Sequence, residues 1–380
     1  MGIKILSLYD GMACGMIAMQ LAGVEVESYD AYEIDKYAIK TAQHNFPMIK
    51  EHGDVFDADF TQYEGVDFLV GGSPCTYWSI AQTKNRETVA SGMGWELFSQ
   101  YVRALHEAKP KYFIYENNKS MSKQIRASID EAFGFEAVLI NSALVSAQNR
   151  QRLYWVGRRN EDGSYSKVNV EQPEDRGILL KDVLDSAVAR DLTSNDKAYT
   201  LTASYDGACA WNTIEQHQRN MVAEPVCVAE RGRMYCGQPQ HYEARTDGKT
   251  NTLTSVEKDN RVAEPIRIGT IENNAKSPTH DSQQYRIYSP DGKGVTIYEV
   301  RNGLITIKGK QYPIKLKDGY YIIRKLTVSE CKRLQTVPEW YEFPVSNSQA
   351  YKMLGNGWTC EVIAHLIRSC MAEQWGGVDG

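Results

Sequence analysis

Short apolar runs alternate with longer amphipathic stretches through the first 158 residues of the chain. The apolar runs have the length of strands and are predicted at 3–9, 26–33, 66–70, 112–115, 135–140 and 153–156. The amphipathic stretches predict helices near 15–22, 35–45, 95–108 and 121–133. This alternation predicts an α/β fold built on a doubly wound, Rossmann-like parallel sheet. In such sheets ligands bind at the carboxyl ends of the strands.

The pattern changes after residue 158. From NEDGSYSKVNVEQPEDRG to about residue 323 the chain is rich in Thr, Asn, Gly and short β-like pieces. We expect a smaller, mostly β or irregular domain at 159–323, with the first domain formed by 1–158 and 324–380. NMVAEPVCVAE at 220–230 resembles NRVAEPIRIGT at 260–270, which suggests a duplicated hairpin unit.

A helical pattern returns at LTVSECKRLQ. Thr327 is the predicted N-cap, and Glu330 lies three residues later, at the position of a capping-box partner. A last helix near 359–372 is expected to pack on the first sheet.

Composition is typical of a globular protein, with 42% hydrophobic and 24% charged residues. No apolar run approaches the roughly 20 residues that span a bilayer, so no membrane partner is expected. The start of the chain lacks the apolar core of a signal peptide, and we expect a cytoplasmic location. Eight cysteines show neither a C-x2-C pair nor a matched histidine spacing, so neither a metal site nor a disulfide framework is predicted.

Charge is unevenly distributed along the chain. Residues 141–325 contain 27 Lys/Arg and 23 Asp/Glu, a balance of +4, whereas the remainder has a balance of −9. Local positive surface is enough to hold DNA in a cleft, so the net charge of −5 does not exclude nucleic acid.

Three polar features follow successive predicted strands. LYDGMACG at 8–15 is a glycine-containing turn into the first helix, where backbone N–H groups favour an anionic group. Glu33 occupies the place where such sheets bind ribose hydroxyls. Asp54, in GDV after a presumed third strand that precedes the one at 66–70, offers an acceptor for an adenine amino group. Each alone is compatible with a surface or capping role, but together they favour an adenosine-containing cofactor.

Cys75 in VGGSPCTYWS follows the fourth strand after a sharp bend. A buried, inert thiol is the ordinary interpretation of one cysteine, but a loop at a strand end also supplies the exposure that a reactive thiolate needs. Glu116 is predicted at the neighbouring strand end. Arg150 and Arg152, two residues apart in QNRQR, are predicted on one face of a strand and favour an anionic or carbonyl-bearing substrate.

These motifs together carry a family resemblance. DGMACG, GGSPC, YEN, QNRQR, RKLTVSECKRLQTVP and YKMLGNGWT occur in the order found in C5-cytosine DNA methyltransferases, and the chain is most similar to phage or prophage members. The similarity covers roughly 1–158 and 324–370. The middle segment would be the target-recognition domain.

The resemblance implies an enzyme that transfers a methyl group from S-adenosylmethionine to C5 of a flipped-out cytosine in double-stranded DNA. It implies Cys75 as a nucleophile that adds to C6, Glu116 as the acid at N3, and Arg150 and Arg152 near the carbonyl edge of the base. The implied cofactor-binding residues are Tyr9, Asp10, Gly11, Met12, Ala13, Cys14, Gly15, Glu33, Ile34, Asp54, Val55, Pro74, Asn356 and Trp358. A monomer is expected, and a restriction endonuclease is a partner that the resemblance leaves open.

Several positions depart from the usual family pattern. Ser73 replaces a proline, Asn118 a valine, Ala147 a proline, and 357–358 a pair of small and aliphatic residues. These changes affect the cofactor wall and the Glu116 loop. The segment after Cys75 has the length of a mobile lid, in which Lys84 and Arg86 either contact phosphates or are simply exposed.

Three alternatives remain open at this point. The same chemistry on structured RNA is one, although the long insert favours duplex DNA. A non-catalytic DNA-binding protein is another, although it would need neither Cys75 nor Glu116. An altered methyl donor is the third.

In the middle domain, the amide-rich and aromatic stretches at 238–245, 273–286 and 296–303 offer groups that read base edges.

Overall fold

The computed structural model describes residues 2–79, 86–185 and 319–375, together with short segments between the last two ranges. These segments are 190–191, 197–208, 213, 216–225, 227–231, 241–245, 306–307, 310–311 and 314–316. The second copy of the repeat at 260–270 and the stretches at 273–286 and 296–303 lie outside the described residues, as does Lys84.

The chain divides into two compact units. One comprises Met1–Ile178, Leu201–Ala203 and Cys331–Gly380, and the other comprises Leu179–Thr200 and Ser204–Glu330.

The first unit contains an eight-stranded sheet. Its strands are β1 (Ile3–Leu8), β2 (Val26–Tyr32), β3 (Lys50–Glu51), β4 (Phe68–Gly71), β5 (Tyr112–Asn118), β6 (Val138–Asn141), β7 (Gln151–Arg159) and β8 (Tyr165–Lys167). The spatial order is β3-β2-β1-β4-β5-β7-β6, with β8 paired to β7. Strands β1 to β5 pair in parallel, which confirms the predicted doubly wound α/β class.

The helices of the described residues are α1 (Cys14–Leu21), α2 (Lys36–Asn45), α3 (Met93–Ala108), α4 (Lys123–Phe133), α5 (Val328–Leu334), α6 (Asn347–Asn356) and α7 (Cys360–Trp375). The first four helices lie between strands of this sheet in the chain, and the last three follow it, with α5 beginning in the second unit. The last of these, α7, packs against α1. Among the described residues, every helix is too short or too polar to cross a membrane.

The sheet has an apolar core on the face that carries α3 and α4. Alternate strand residues contribute to it, because successive side chains of a strand point to opposite faces. Its strand members are Leu6, Leu8, Leu69, Phe113, Tyr115, Leu153 and Trp155, and its main helical members are Phe98, Tyr101, Leu105, Ile125, Ile129 and Phe133. The short apolar runs that predicted the strands contain these strand members of the core.

One predicted feature of the sheet is wrong. Strand β7 runs antiparallel to both of its neighbours, β5 and β6. Only a short connection of nine residues, 142–150, joins β6 to β7. A parallel neighbour needs a crossover of a dozen or more residues, so this connection can only turn the chain back.

The second unit contains an antiparallel sheet of β9 (Arg190–Asp191), β10 (Met221–Pro225), β15 (Ile314–Leu316) and β16 (Gly319–Lys325). Two hairpins are formed by β11 (Cys227–Arg231) with β12 (His241–Arg245), and by β13 (Thr306–Ile307) with β14 (Lys310–Gln311). The hydroxyl of Tyr205 joins the ends of two strands of this sheet. It donates to the carbonyl of Asn220, just before β10, and accepts from the amide of Leu326, just after β16.

The predicted capping box at the start of α5 is confirmed. The Thr327 hydroxyl accepts from the Glu330 amide at 3.1 Å, and the Glu330 carboxylate accepts from the Thr327 amide at 2.7 Å. Helix α6 and strand β8 were not predicted.

Candidate active site

A cleft of about 290 Å³ opens at the carboxyl ends of β1, β2, β4 and β5. It is lined by most of the residues singled out in the sequence, because parallel strands place their carboxyl ends along one edge of the sheet. These are Tyr9, Asp10, Gly11, Met12, Cys14, Glu33, Ile34, Asp54, Val55, Pro74, Cys75, Glu116, Asn356 and Trp358.

The turn after β1 has an unusual backbone. Tyr9, Gly11 and Ala13 have φ angles of 59°, 63° and 60°. The left-handed region costs a residue with a Cβ of the order of 1–3 kcal/mol, so Tyr9 and Ala13 hold strain that the surroundings must enforce. One such restraint is Tyr341, whose hydroxyl donates to the Met12 carbonyl at 2.6 Å.

This turn leaves the beginning of α1 without a capping side chain. Ala13 is the N-cap residue and makes no side-chain hydrogen bond. The first N–H groups of a helix have no partner within it and carry partial positive charge. Because Cys14, the first residue of α1, lines the cleft, this end of the cleft favours a carboxylate or another anionic group.

Asp10 is a buried carboxyl group with one oxygen unpaired. Its Oδ1 accepts from the hydroxyls of Ser7 and Tyr29, both at 2.5 Å, whereas Oδ2 has no hydrogen-bond partner. Burial raises the pKa of Asp10 to about 6. Gly15 makes room for this arrangement, since a Cβ there would lie 2.6 Å from the Tyr29 hydroxyl. Asp10 lines the cleft, although Oδ2 itself is buried beneath its surface.

The two other predicted cofactor acids are held by backbone amides. Glu33 accepts from the amides of Gly11, Ile34 and Asp35, at 2.9, 2.8 and 2.8 Å. A carboxylate has about four acceptor sites, so about one remains for a ligand hydroxyl. Asp54 caps the following turn through Oδ1, which accepts from the Phe56 amide at 3.0 Å.

Cys75 is an exposed thiol at the beginning of a short 3₁₀ turn, Cys75–Tyr77. Its carbonyl accepts from the amides of Trp78 and Ser79 at 3.0 and 2.9 Å, which fixes the backbone of the turn. By contrast, Cys14, Cys331, Cys360 and Cys370 are buried. Of these five described cysteines, Cys75 alone combines exposure with a place in the cleft wall near Glu116.

Glu116 lies within β5, not beyond its end, because the strand continues to Asn118. Its side chain is only 12% exposed. Oε1 forms an ion pair with Arg152 Nε at 3.1 Å, and Oε2 accepts from Trp358 Nε1 at 3.0 Å. The carboxyl group is therefore held by an ion pair on one oxygen and by a hydrogen bond on the other.

The two arginines are placed differently. Arg152 belongs to β7 and contacts Glu116. Arg150 precedes β7, so the prediction that both lie on one face of a strand is wrong. Its buried guanidinium donates to the carbonyls of Leu201, Gly355 and Gly357, the shortest contact being 2.8 Å to Gly357. Arg150 thus anchors the segment after α6.

The segment after Cys75 is described up to Ser79 and from Arg86 onward. The buried indole of Trp78 donates to Glu87 Oε2 at 3.0 Å, and Oε1 of the same carboxylate accepts from the Gly94 amide. The guanidinium of Arg86 donates to the carbonyls of Trp78 and Ser120. In this structure Arg86 ties the segment to the end of β5.

Two functional contacts were missed by sequence reasoning. Arg103 on α3 donates to the carbonyls of Val55 and Ala58 at 2.8 Å and supports the cleft wall after β3. Lys352 on α6 lines the cleft and pairs with Asp35 at 2.7 Å. Neither lies in a recognisable motif, and each is brought to the site only by helix packing.

Known proteins resemble this chain along its length. The Bacillus phage SPR "Orphan methyltransferase M.SPRI" is 26% identical, with 96% of this chain and 97% of the relative covered. The "Type II methyltransferase M1.ScrFI" of Lactococcus lactis subsp. cremoris is 28% identical, with 92% and 73% covered. "Type II methyltransferase M.HhaI" of Haemophilus parahaemolyticus is 23% identical, with 96% and 93% covered.

Solved structures share the fold. A DNMT2 mutant of Spodoptera frugiperda gives a TM-score of 0.55 at 15% identity and covers 97% of this chain and 100% of its own. A putative DNA modification methyltransferase encoded within an E. coli prophage gives 0.52 at 17% identity and covers 99% and 100%. The family model "C-5 cytosine-specific DNA methylase" matches residues 3–372. Because this match spans nearly the whole sequence, the chain belongs to the C-5 cytosine-specific DNA methylase family.

Proposed function

We propose that this enzyme methylates C5 of a flipped-out cytosine in double-stranded DNA, with S-adenosylmethionine as methyl donor and Cys75 as covalent nucleophile. The observation that carries the proposal is the exposed Cys75 thiol in the same cleft wall as Glu116, beside the turn that follows β1.

The cleft suits the proposed donor, which has a carboxylate, an ammonium group, ribose hydroxyls and an adenine. The uncapped start of α1 favours the carboxylate. The carboxyl group of Asp10, a residue of the cleft lining, suits the ammonium group. Glu33 retains acceptor capacity for a ribose hydroxyl, and Asp54 lines the cleft nearby. When bound, this donor supplies an electrophilic methyl group on sulfur.

Cys75 would act on the ring of the base. Cytosine C5 is a weak nucleophile, and a thiolate that bonds to C6 gives C5 the character of an enamine carbon. After C5 has been methylated, loss of the C5 proton and departure of the thiolate restore the aromatic ring. Because C6 is inaccessible in a stacked duplex, the base must leave the helix first, at a cost of a few kcal/mol.

Glu116 would move the proton that this addition requires. It gives a proton to N3 as Cys75 bonds to C6, so that the ring does not accumulate negative charge, and it takes this proton back when the thiolate departs. The resulting carboxylate is stabilised by Arg152 at Oε1 and by the Trp358 indole at Oε2. A charged hydrogen bond is stronger than a neutral one, so both contacts favour the step.

Arg150 enters the proposal in a different role from the one implied by the family resemblance. Its guanidinium already donates to three backbone carbonyls. We propose that Arg150 holds the backbone at Gly355 and Gly357, and thereby Asn356 between them and Trp358 after them. Arg152 remains the arginine in contact with the acid.

The proposal is tested by incubating the purified protein with duplex genomic DNA and donor labelled with tritium in the methyl group. Label should appear in 5-methylcytosine, and Cys75→Ala should abolish it while DNA binding persists. Bisulfite sequencing of the product would then give the target site. Label that appears in RNA in a parallel incubation but not in DNA would contradict the proposal. Equal labelling of DNA by Cys75→Ala and by the wild type would also contradict it. A monomeric state, a cytoplasmic location and a restriction endonuclease partner remain predictions.

A further inference from the structure

Trp358 stands where the family usually has a small or aliphatic residue. It follows α6 by two positions, lines the cleft and is half-buried. Sequence reasoning assigns it to the cofactor wall. Its one polar group, Nε1–H, instead donates to Oε2 of Glu116 at 3.0 Å. A tryptophan indole can only donate, so this contact has a fixed direction.

The contact completes a three-sided enclosure of the Glu116 carboxyl group. Arg152 contacts Oε1 at 3.1 Å, and Trp358 contacts Oε2. On a third side lies Gly72, where a Cβ would be 3.0 Å from Oε2 and 2.7 Å from the Glu116 carbonyl oxygen. With both oxygens bound by different donors and the backbone of Gly72 close by, rotation of the carboxyl plane is restricted.

The backbone that carries Trp358 is itself held in place. The Gly357 carbonyl accepts from Arg150 at 2.8 Å, and the Gly357 amide donates to the Met353 carbonyl at 2.7 Å. Thr359, which follows Trp358, is fully buried, and its hydroxyl bonds to the side chains of Ser142 and Gln335. Because its backbone is held in this way, the indole N–H of Trp358 restrains the orientation of the Glu116 carboxyl group.

From this geometry we propose that Trp358 is a positioning residue that holds Glu116 through its indole N–H during proton transfer to N3 of the target cytosine. The inference rests on the proposed function. When Glu116 gives its proton to N3, the electron pair of the broken O–H bond stays on the carboxylate. The indole N–H faces that oxygen pair, so the contact is strongest once the charge has formed.

A reaction without methyl donor separates this role from a cofactor-wall role. Addition of Cys75 to C6, with protonation of N3 by Glu116, lets C5 take a proton from water. Loss of the original C5 hydrogen, release of the thiolate and return of the N3 proton to Glu116 then complete an exchange in which no other bond has changed. With DNA labelled with tritium at cytosine C5, the exchange appears as tritium released into water, and no cofactor is needed.

We expect Trp358→Phe, which keeps an aromatic ring but removes the donor, to lower this exchange about tenfold, the value of one hydrogen bond to a charged group. Trp340→Phe is the matched control, because Trp340 is 51% exposed and packs on Phe46. It should leave exchange unchanged. Exchange by Trp358→Phe within about twofold of the wild type would overturn the inference while leaving the proposed function intact.

A double-mutant cycle gives an independent answer in single-turnover methyl transfer. Trp358→Phe should cost about tenfold in the wild-type background but less than about twofold when Glu116 is already Gln, because the indole then has no carboxylate to hold. Equal costs in both backgrounds would overturn the inference. A wild-type protein that neither exchanges nor methylates would overturn the proposed function, and the inference with it.

Discussion

The hydroxyl of Ser73, which lies two residues before Cys75 in the chain, is 2.6 Å from the hydroxyl of Tyr115. Both side chains are buried, and the Asn117 amide joins them by donating to the Ser73 carbonyl at 3.1 Å and to the Tyr115 hydroxyl at 3.2 Å. This network ties the loop of the nucleophile to β5, the strand that carries Glu116. It depends on a serine at a position where the family usually has proline.

Tyr115→Phe should therefore affect both stability and rate. It removes one hydrogen-bond partner from the buried Ser73 hydroxyl and one from the buried Asn117 amide, and we expect a loss of about 1–2 kcal/mol in the free energy of unfolding in urea. Tyr101→Phe is a matched control, because its buried hydroxyl donates only to the carbonyls of Leu69 and Ile114. It should lose similar stability but keep the rate of methyl transfer. Equal rates for the two variants would refute a role of the network in placing Cys75.

Two adjacent glycines make a second comparison. An added Cβ at Gly72 would lie 3.0 Å from Glu116 Oε2, whereas one at Gly71 would lie 2.7 Å from the Leu8 carbonyl oxygen and 3.0 Å from the Tyr101 ring. We expect Gly72→Ala to reduce methyl transfer at least about tenfold in protein that is still folded. Gly71→Ala should mainly lower the melting temperature. The account fails here if folded Gly72→Ala is as active as the wild type.

Arg150 provides a prediction about the cofactor side of the cleft. Arg150→Lys keeps the charge but cannot reproduce the fork of donors that binds the carbonyls of Leu201, Gly355 and Gly357. We expect a loss of about 2–4 kcal/mol in stability and weaker donor binding by calorimetry. Arg158→Lys, at an exposed position of β7, should change stability by less than about 0.5 kcal/mol. Unchanged stability of Arg150→Lys would contradict the anchoring role.

Asp10 predicts a pH dependence. Burial raises its pKa to about 6 in the folded protein, above the ordinary value of 3.8, so its ionisation lowers stability as pH rises through this interval. The shift corresponds to a ceiling of roughly 3 kcal/mol. Asp10→Asn removes this cost of ionisation, but its new amide N–H lacks a partner, which offsets part of the gain. We therefore expect the variant to be more stable than the wild type at pH 8 by about 1–2 kcal/mol.

This advantage of Asp10→Asn should shrink as pH falls below 6, where the wild-type carboxyl group becomes neutral. Urea unfolding at pH 8 and at pH 5 would measure it. Donor binding should weaken in the same variant, because the unpaired carboxylate oxygen is removed. A difference in stability that is the same at both pH values would show that Asp10 carries no buried charge.

The strands, the cleft edge and most of its lining follow from the sequence. Short apolar runs and turns rich in glycine locate the strand ends, and parallel pairing then brings Asp10, Glu33, Cys75 and Glu116 to one edge. The capping box at Thr327 follows from local spacing alone. Such features depend on near neighbours in the chain or on the regular geometry of the sheet.

What the sequence does not disclose depends on contacts between distant segments. The reversal of β7 is set by the length of one connection, and Arg150 is the last residue of that connection, not a residue of the strand. The indole of Trp358 meets Glu116 across 242 positions of the chain. Neither pairing leaves a local pattern, so the roles of Arg150 and Trp358 emerge only from the folded structure.

Covalent trapping shows whether Cys75 bonds to cytosine C6. A duplex library carrying 5-fluorocytosine, which cannot release its C5 substituent, is incubated with the protein and the methyl donor, and the products are digested and sequenced by mass spectrometry. The account predicts a stable protein–DNA adduct on the peptide containing Cys75, with the methyl group on the trapped base, and none with Cys75→Ser. Methyl transfer to ordinary DNA without any adduct to the fluorinated duplex, or an adduct on another residue, would contradict it.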